Sequence, residues 1–214
     1  MIGLKGIYGF KYEDINLFFD GNSLTASNQD GSISQYMPNV VKQGVYMDSI
    51  SGMDFDSIGV GGQKIATMVA NYAANVAPSY DGTKTNYLIV AEGENGFDND
   101  TYTGQYNLDL MNDYIALAKA TGWTVITWGA WYKRTPYSVS DNAIIRSNRK
   151  DYLDLAAAGG LNSDYHLDMR TLENVGGVQG LPQDATYNVD WIHLTAAGND
   201  ILAAKILEKL QEIL

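Results

Sequence analysis

Short, continuously apolar runs alternate with segments of helical periodicity along this chain, and that alternation restricts the fold more than any other feature. INLFF (15–19), YLIVA (87–91), WTVITW (123–128) and YHLDM (165–169) each read as a strand, and a further short strand falls within residues 49–58, ending in GVGG. Apolar runs of this length without polar alternation suit strands buried on both faces. Between them, Ile65, Met68, Val69, Tyr72 and Val76 recur at helical spacing on one face, and Pro78 stops that helix. Leu108, Met111, Ile115 and Ala118 form a second stripe over residues 108–120, with Gly122 placed as a C-cap. Residues 140–158 read as a third helix ending at Gly159 and Gly160. Residues 195–214 read as a fourth, with Leu202, Ile206, Leu210 and Ile213 facing inward. Strands that alternate with helices in this way predict the α/β class: a three-layer α/β/α sandwich around a five-stranded parallel sheet. The 214 residues show no repeat, low-complexity tract or linker and read as one domain, 1–214.

Charge and composition narrow the function. The formal net charge of −11, with no Lys/Arg cluster, disfavours nucleic acid and anionic membranes as partners. Cysteine is absent, which excludes disulfides, thiol catalysis and cysteine metal sites. The first residues, MIGLKGIYGFKYED, carry no apolar run of signal-peptide length. No stretch approaches the ~20 apolar residues of a membrane span. The compartment and the oligomeric state stay open.

Ligands of open parallel sheets bind beyond the carboxyl ends of the strands, and the unusual residues of this chain fall there. The loops are Asp20-Gly21-Asn22-Ser23-Leu24, Gly59-Val60-Gly61-Gly62, Gly93-Glu94-Asn95-Gly96 and Asp190-Trp191-Ile192-His193-Leu194. Of the two histidines, His166 sits inside a strand pattern and reads as a packed or edge residue. His193 follows Asp190 by three residues, just before a helix. That spacing lets a carboxylate orient an imidazole, and it equally serves as a helix cap. Ser23 ends a Gly-x-Ser turn: a plain turn by itself, a nucleophile when a base reaches it. Gly62 offers an unobstructed N–H and Asn95 an amide, the donor types an oxyanion needs, although both also serve ordinary turns. Gly59, Gly61 and Lys64 complete neither GxGxxG nor GxxxxGK[ST], which argues against phosphate binding. Asp98, Asn99 and Asp100 resemble part of a calcium loop, but Tyr102 breaks the pattern and no Glu closes it, so no metal is expected.

In order, FFDGNSLT, SIGVGGQ, LIVAEGENG and DWIHLTAAG resemble the conserved blocks of the SGNH (GDSL-like) hydrolases. The resemblance runs from about residue 15 to the end of the chain. Ser23, Gly62, Asn95 and His193 match the four residues for which that family is named. Asn22 stands where the family usually has Asp, and Gly96 stands where Asp usually follows the Asn. The resemblance implies a flavodoxin-like fold and a serine ester hydrolase that uses no cofactor. It implies Ser23 as nucleophile, His193 as its base, Asp190 to orient His193, and an oxyanion hole built from the Ser23 and Gly62 N–H groups with the Asn95 amide.

The expected substrate is a small acyl ester, foremost an acetyl group on a carbohydrate. Phe97, Tyr102, Tyr106, Trp128, Trp131, Tyr132 and Trp191 lie at or beyond strand ends, where they can stack on sugar rings or pack the strand–loop junctions. Lysophospholipase or thioesterase activity on the same fold is the alternative. A non-enzymatic carbohydrate-binding or structural surface or virion module is the alternative from another class.

Overall fold

The computed structural model describes residues 15–25, 54–91, 95–97, 102–129, 143–172, 175, 186–187 and 193–214. Among the described residues five strands form one sheet: β1 (Ile15–Gly21), β2 (Asp54–Ser57), β3 (Thr85–Ala91), β4 (Thr124–Gly129) and β5 (Tyr165–Asp168). Their spatial order is β2-β1-β3-β4-β5, and every neighbouring pair is parallel. This is the doubly wound order in which the chain switches direction between β1 and β3, opening a crevice at the carboxyl ends of those two strands.

The strands alternate their side chains between two cores. Ile15, Leu17 and Phe19 of β1 join Ile89, Ile126, Trp128 and Leu167 in one cluster, against Leu202, Ala203, Ile206 and Leu210 of α4 (Ala196–Ile213). Phe18, Leu88, Val90 and Val125 point the other way. They meet Ile65 and Met68 of α1 (Ile65–Asn75), Met111, Tyr114 and Ile115 of α2 (Gly104–Thr121), and Tyr152 and Leu153 of α3 (Ala143–Leu155). The three-layer α/β/α arrangement read from the sequence is therefore the one observed.

Local chemistry sets the element ends. Thr103 caps α2 by accepting a hydrogen bond from Tyr106 N–H, and Gly122 closes the helix in the left-handed region at φ +115°. The boundary of β1 differs from expectation. The polar cluster after Phe19 reads as a turn, yet the strand continues through Asp20 and Gly21, because both stay in register with Val90 and Ala91 of β3. All seven residues of β1 are buried.

His166 lies on β5 with Nδ1 3.1 Å from Thr127 Oγ1 on β4, so the packed or edge role expected for it is where it sits. Burial holds its pKa down to about 4 from 6.5, with Asp168 acting in the opposite direction and Arg170 reinforcing the shift. An unfolded chain takes up this proton through pH 6.5, while the folded chain refuses it until about pH 4. Stability should thus fall as pH drops through that window, by about 3 kcal/mol from this group. Urea melts at pH 7 and pH 4 on wild type and His166→Gln measure it: the variant should lose clearly less. A His166 ring resonance titrating near 6.5 would contradict the burial described.

Candidate active site

The turn that carries Ser23 is held by the end of β1. Gly21 has φ +152°, and a Cβ there would stand 2.3 Å from the Ala91 carbonyl oxygen and 2.7 Å from Thr25 Oγ1. Only glycine lets β1 approach β3 this closely. The Asn22 N–H donates to Ala91 O (3.3 Å), and its carbonyl accepts from the Thr25 N–H at 3.0 Å and from Thr25 Oγ1 at 3.0 Å. Asn22 Oδ1 accepts from the Leu24 N–H at 2.9 Å, an Asx turn that substitutes side-chain for backbone bonding. Asn22 is fully buried, and its Nδ2 has no hydrogen-bond partner among the described residues. That is a local cost of about 1–3 kcal/mol.

Ser23 Oγ lies 3.0 Å from His193 Nε2, across 170 residues of sequence. His193 sits just before α4. Leu194 is buried in the core, and Thr195, not His193, is the helix cap: its Oγ1 accepts from the Gly198 N–H at 3.3 Å and donates to Thr186 O at 2.7 Å. The Thr195 N–H also reaches Tyr187 O at 3.0 Å. The segment is pinned on both sides of Leu194, and the imidazole turns toward the serine. Asp190, expected to orient His193, lies outside the described residues, as do Trp131, Tyr132 and Trp191.

After β2 the chain stays attached to β1 through the Val60 N–H, which donates to Gly21 O at 3.0 Å. A turn closed by the Gln63 N–H on Val60 O (3.0 Å) puts Gly62 at φ +71°, the positive value demanded at the third position of a type II turn. Asn95, after β3, donates from Nδ2 to Gln63 O at 3.2 Å. Loops from β1, β2 and β3 and the entry to α4 thus meet at the carboxyl edge of the sheet.

Sequence reasoning assigned no role to Asp20, Gln63 or Tyr114, which meet beneath these loops. Asp20, 2% exposed, accepts from Tyr114 Oη at 2.6 Å through Oδ2, and from the Gly21 N–H (2.7 Å) and Gln63 Nε2 (3.3 Å) through Oδ1. Burial raises its pKa, and the bonds from Tyr114, Gly21 and Gln63 oppose that rise. The Tyr114 phenol is pushed well above its ordinary value by burial and then by the Asp20 charge. The available signal was a carboxylate directly after an apolar strand run, where burial requires partners.

Of the aromatic candidates, Trp128 and Phe97 are buried. Trp128 belongs to the core on the α4 side, and Phe97 packs against Tyr152, with ring centroids 5.8 Å apart, and beneath Arg149. Neither offers a face to a sugar, which corrects the stacking option for these two. Tyr102 and Tyr106 pack against each other at 5.4 Å, and Tyr106 is 39% exposed. Among the described residues no group of three or more His, Asp or Glu side chains is placed to hold a metal.

A serine hydroxyl within hydrogen-bond distance of an imidazole has a proton acceptor in place, the first requirement for nucleophilic catalysis. No family model and no curated protein matches the sequence. Solved structures do match. A GDSL-like lipase from Bacteroides thetaiotaomicron aligns with TM-score 0.66 at 18% identity, over 96% of this chain and 92% of that one. A lipase/acylhydrolase from Enterococcus faecalis aligns with TM-score 0.62 at 16% identity, over 93% and 96%. An acetylxylan esterase from Geobacillus stearothermophilus aligns with TM-score 0.62 at 15% identity, over 91% and 93%. The chain has the fold of the SGNH (GDSL-like) hydrolases.

The close approach at Gly21 makes a direct prediction. Gly21→Ala should destabilise the protein by about 2–4 kcal/mol, through backbone strain together with overpacking against β3. The readout is the urea midpoint at constant slope. A wild-type midpoint would mean that β1 and β3 do not meet as described.

Proposed function

We propose that the protein is a serine ester hydrolase with Ser23 as nucleophile, His193 as general base and acid, and the Ser23 and Gly62 N–H groups and the Asn95 amide as oxyanion donors. The observation that carries this reading is the 3.0 Å contact between Ser23 Oγ and His193 Nε2 at the carboxyl edge of the sheet. Ser23 Oγ bonds to the ester carbonyl carbon while its proton passes to His193 Nε2. The carbonyl oxygen becomes an oxyanion and takes hydrogen bonds from the three donors. Collapse breaks the carbon–alkoxy bond, and His193 returns its proton to the leaving alcohol. Water then attacks the acyl-serine, His193 takes the water proton, and collapse releases the carboxylic acid and restores the serine hydroxyl. The reaction balances with ester and water. Asp190, three residues before His193, supplies the carboxylate that orients the ring in this scheme.

The preferred substrate class is acetyl esters, including O-acetylated carbohydrate. Residues 25–48, 97–107 and 170–189 are rich in Asn, Asp, Gly, Ser and Thr and carry no apolar stripe at helical spacing. A long acyl chain gains ~0.8 kcal/mol per CH₂ only against apolar walls. The structurally similar acetylxylan esterase is consistent with this preference.

Ser23→Ala should lower kcat on a chromogenic acetyl ester by roughly 10⁴–10⁶-fold with little change in stability. Undiminished turnover by the pure variant would sink the mechanism, whereas no turnover by the wild type would leave the binding-module reading. Asn95→Ala should cost about 10²–10³ in kcat with KM nearly constant, because the amide acts on the transition state. A large KM rise at constant kcat would instead assign Asn95 to substrate binding. Across a p-nitrophenyl ester series, kcat/KM should peak at acetyl and fall toward octanoyl. A maximum at eight carbons or longer would favour a lysophospholipase or thioesterase.

A further inference from the structure

Gln63 occupies an unusual position. Its main chain follows directly on Gly62, and its carbonyl accepts the Asn95 amide at 3.2 Å, so both donors borne by the β2 and β3 loops refer to this one residue. Its side chain runs in the opposite direction. Nε2 donates to Gly21 O at 3.1 Å and to Asp20 Oδ1 at 3.3 Å, at the end of the strand that carries Ser23. Two acceptors facing one nitrogen fix which end of the amide points to β1. Asp20 is in turn held from the far side by Tyr114 of α2, at 2.6 Å.

We infer that Gln63 is a positioning residue: its side-chain amide, seated on Asp20 and Gly21, sets the distance between Ser23 and the oxyanion donors Gly62 and Asn95. The inference rests on the hydrolase reading above. It assigns Asp20 the task of a buried acceptor, which explains why a carboxylate occupies a strand whose residues are all buried. The Gln63 backbone bonds survive loss of the side chain, so the turn can still form, but among the described residues it is then tied to β1 through the backbone alone, by the Val60 N–H on Gly21 O and, just before it, the Ile58 N–H on Phe19 O. The Gln63 carbonyl moves with the turn, and the plane of the Asn95 amide moves with the carbonyl. Displacements of the order of 1 Å at such a group cost up to about 10²-fold in rate.

The test is Gln63→Met, which keeps side-chain length and removes the donor, compared with Gln63→Ala. Both variants should lower kcat for an acetyl ester by about 10–10²-fold, with KM within about threefold of wild type. The same substitution in an Asn95→Ala background should cost at least threefold less, since part of its effect acts through Asn95. Wild-type kcat in Gln63→Met with a loss in Gln63→Ala would show that the side chain only fills space and would overturn the inference. So would full additivity with Asn95→Ala, or an effect confined to KM. Urea melts identify any variant that fails to fold. For such a variant, an Asp20→Asn protein takes its place and is held to the same kcat and additivity criteria. Retained turnover in Ser23→Ala refutes the Ser23-nucleophile reading on which the inference rests, independently of what Gln63 does.

Discussion

The Gly21 carbonyl accepts the Val60 N–H at 3.0 Å and Gln63 Nε2 at 3.1 Å, while the neighbouring Asn22 N–H donates to Ala91 O at 3.3 Å. These three bonds gather the loops after β1, β2 and β3 at one point. The point exists because the winding reverses between β1 and β3, so the loops leaving these two strands diverge and leave a crevice. Had Gly21 carried a side chain, the Ala91 carbonyl would occupy the space of its Cβ. The crevice, the turn that presents Ser23 and the seating of Gln63 thus share one steric condition.

The two ends of the sheet use buried polar groups differently. At the amino end, Asn16 and Asn86 are register partners on β1 and β3. Asn16 Nδ2 donates to Asn86 Oδ1 at 2.8 Å and to Ser79 O at 2.7 Å, and Asn86 Nδ2 donates to Asp81 O at 2.7 Å and to Lys84 O at 2.7 Å. Those amides spend their bonding capacity on one another and on the connection into β3, as buried polar groups must. At the carboxyl end, Asn22 keeps a buried nitrogen without a partner among the described residues, and burial raises the pKa of Asp20 against the hydrogen bonds from Tyr114, Gly21 and Gln63. Fold stability alone does not call for such an arrangement. Concentrated polar groups at one edge are typical of a site that trades some stability for preorganised chemistry.

Much of this architecture was legible in residue pattern. Continuous apolar runs identified β1, β3 and β4, because strands buried on both faces cannot afford polar alternation, and the stripes of Ile65, Met68 and Tyr72 and of Leu108, Met111 and Ile115 identified α1 and α2. The candidate residues came chiefly from the order of four short blocks. No local rule states that Ser23 and His193, 170 residues apart, will meet at 3.0 Å. Asp20 was read as turn because Asp-Gly-Asn-Ser has turn composition. Tertiary context overrode it, since register with β3 carries the strand on to Gly21. Gln63 ends the second block, SIGVGGQ, but its role was not legible, for a glutamine in a glycine-rich loop is indistinguishable from solvated surface until its partners are known. Phe97 and Trp128 misled in the opposite sense: an aromatic at a strand end looks like a ligand platform, but here the layers of helices close over both rings.

The site is fastened to both helical layers at once. His193 is delivered by α4, whose Leu202 and Ile206 pack against one face of the sheet. Asp20 and, through it, Gln63 answer to Tyr114 of α2 on the opposite face. Even-numbered β1 residues point toward α2 and odd-numbered ones toward α4, so the pleat of a single strand separates the two supports. This explains how structures sharing only 15–18% identity with the chain can keep the same frame. What must persist is the alternation that assigns each β1 side chain to its layer, and many apolar residues satisfy it. The polar positions at the carboxyl edge are not interchangeable in that way. A slip of β1 by one residue would turn Asp20 toward α4 and Phe19 toward Tyr114, leaving a buried carboxylate without its donors. The Tyr114–Asp20 bond therefore does for register what the apolar pattern cannot, and it does so one residue from the turn that carries Ser23.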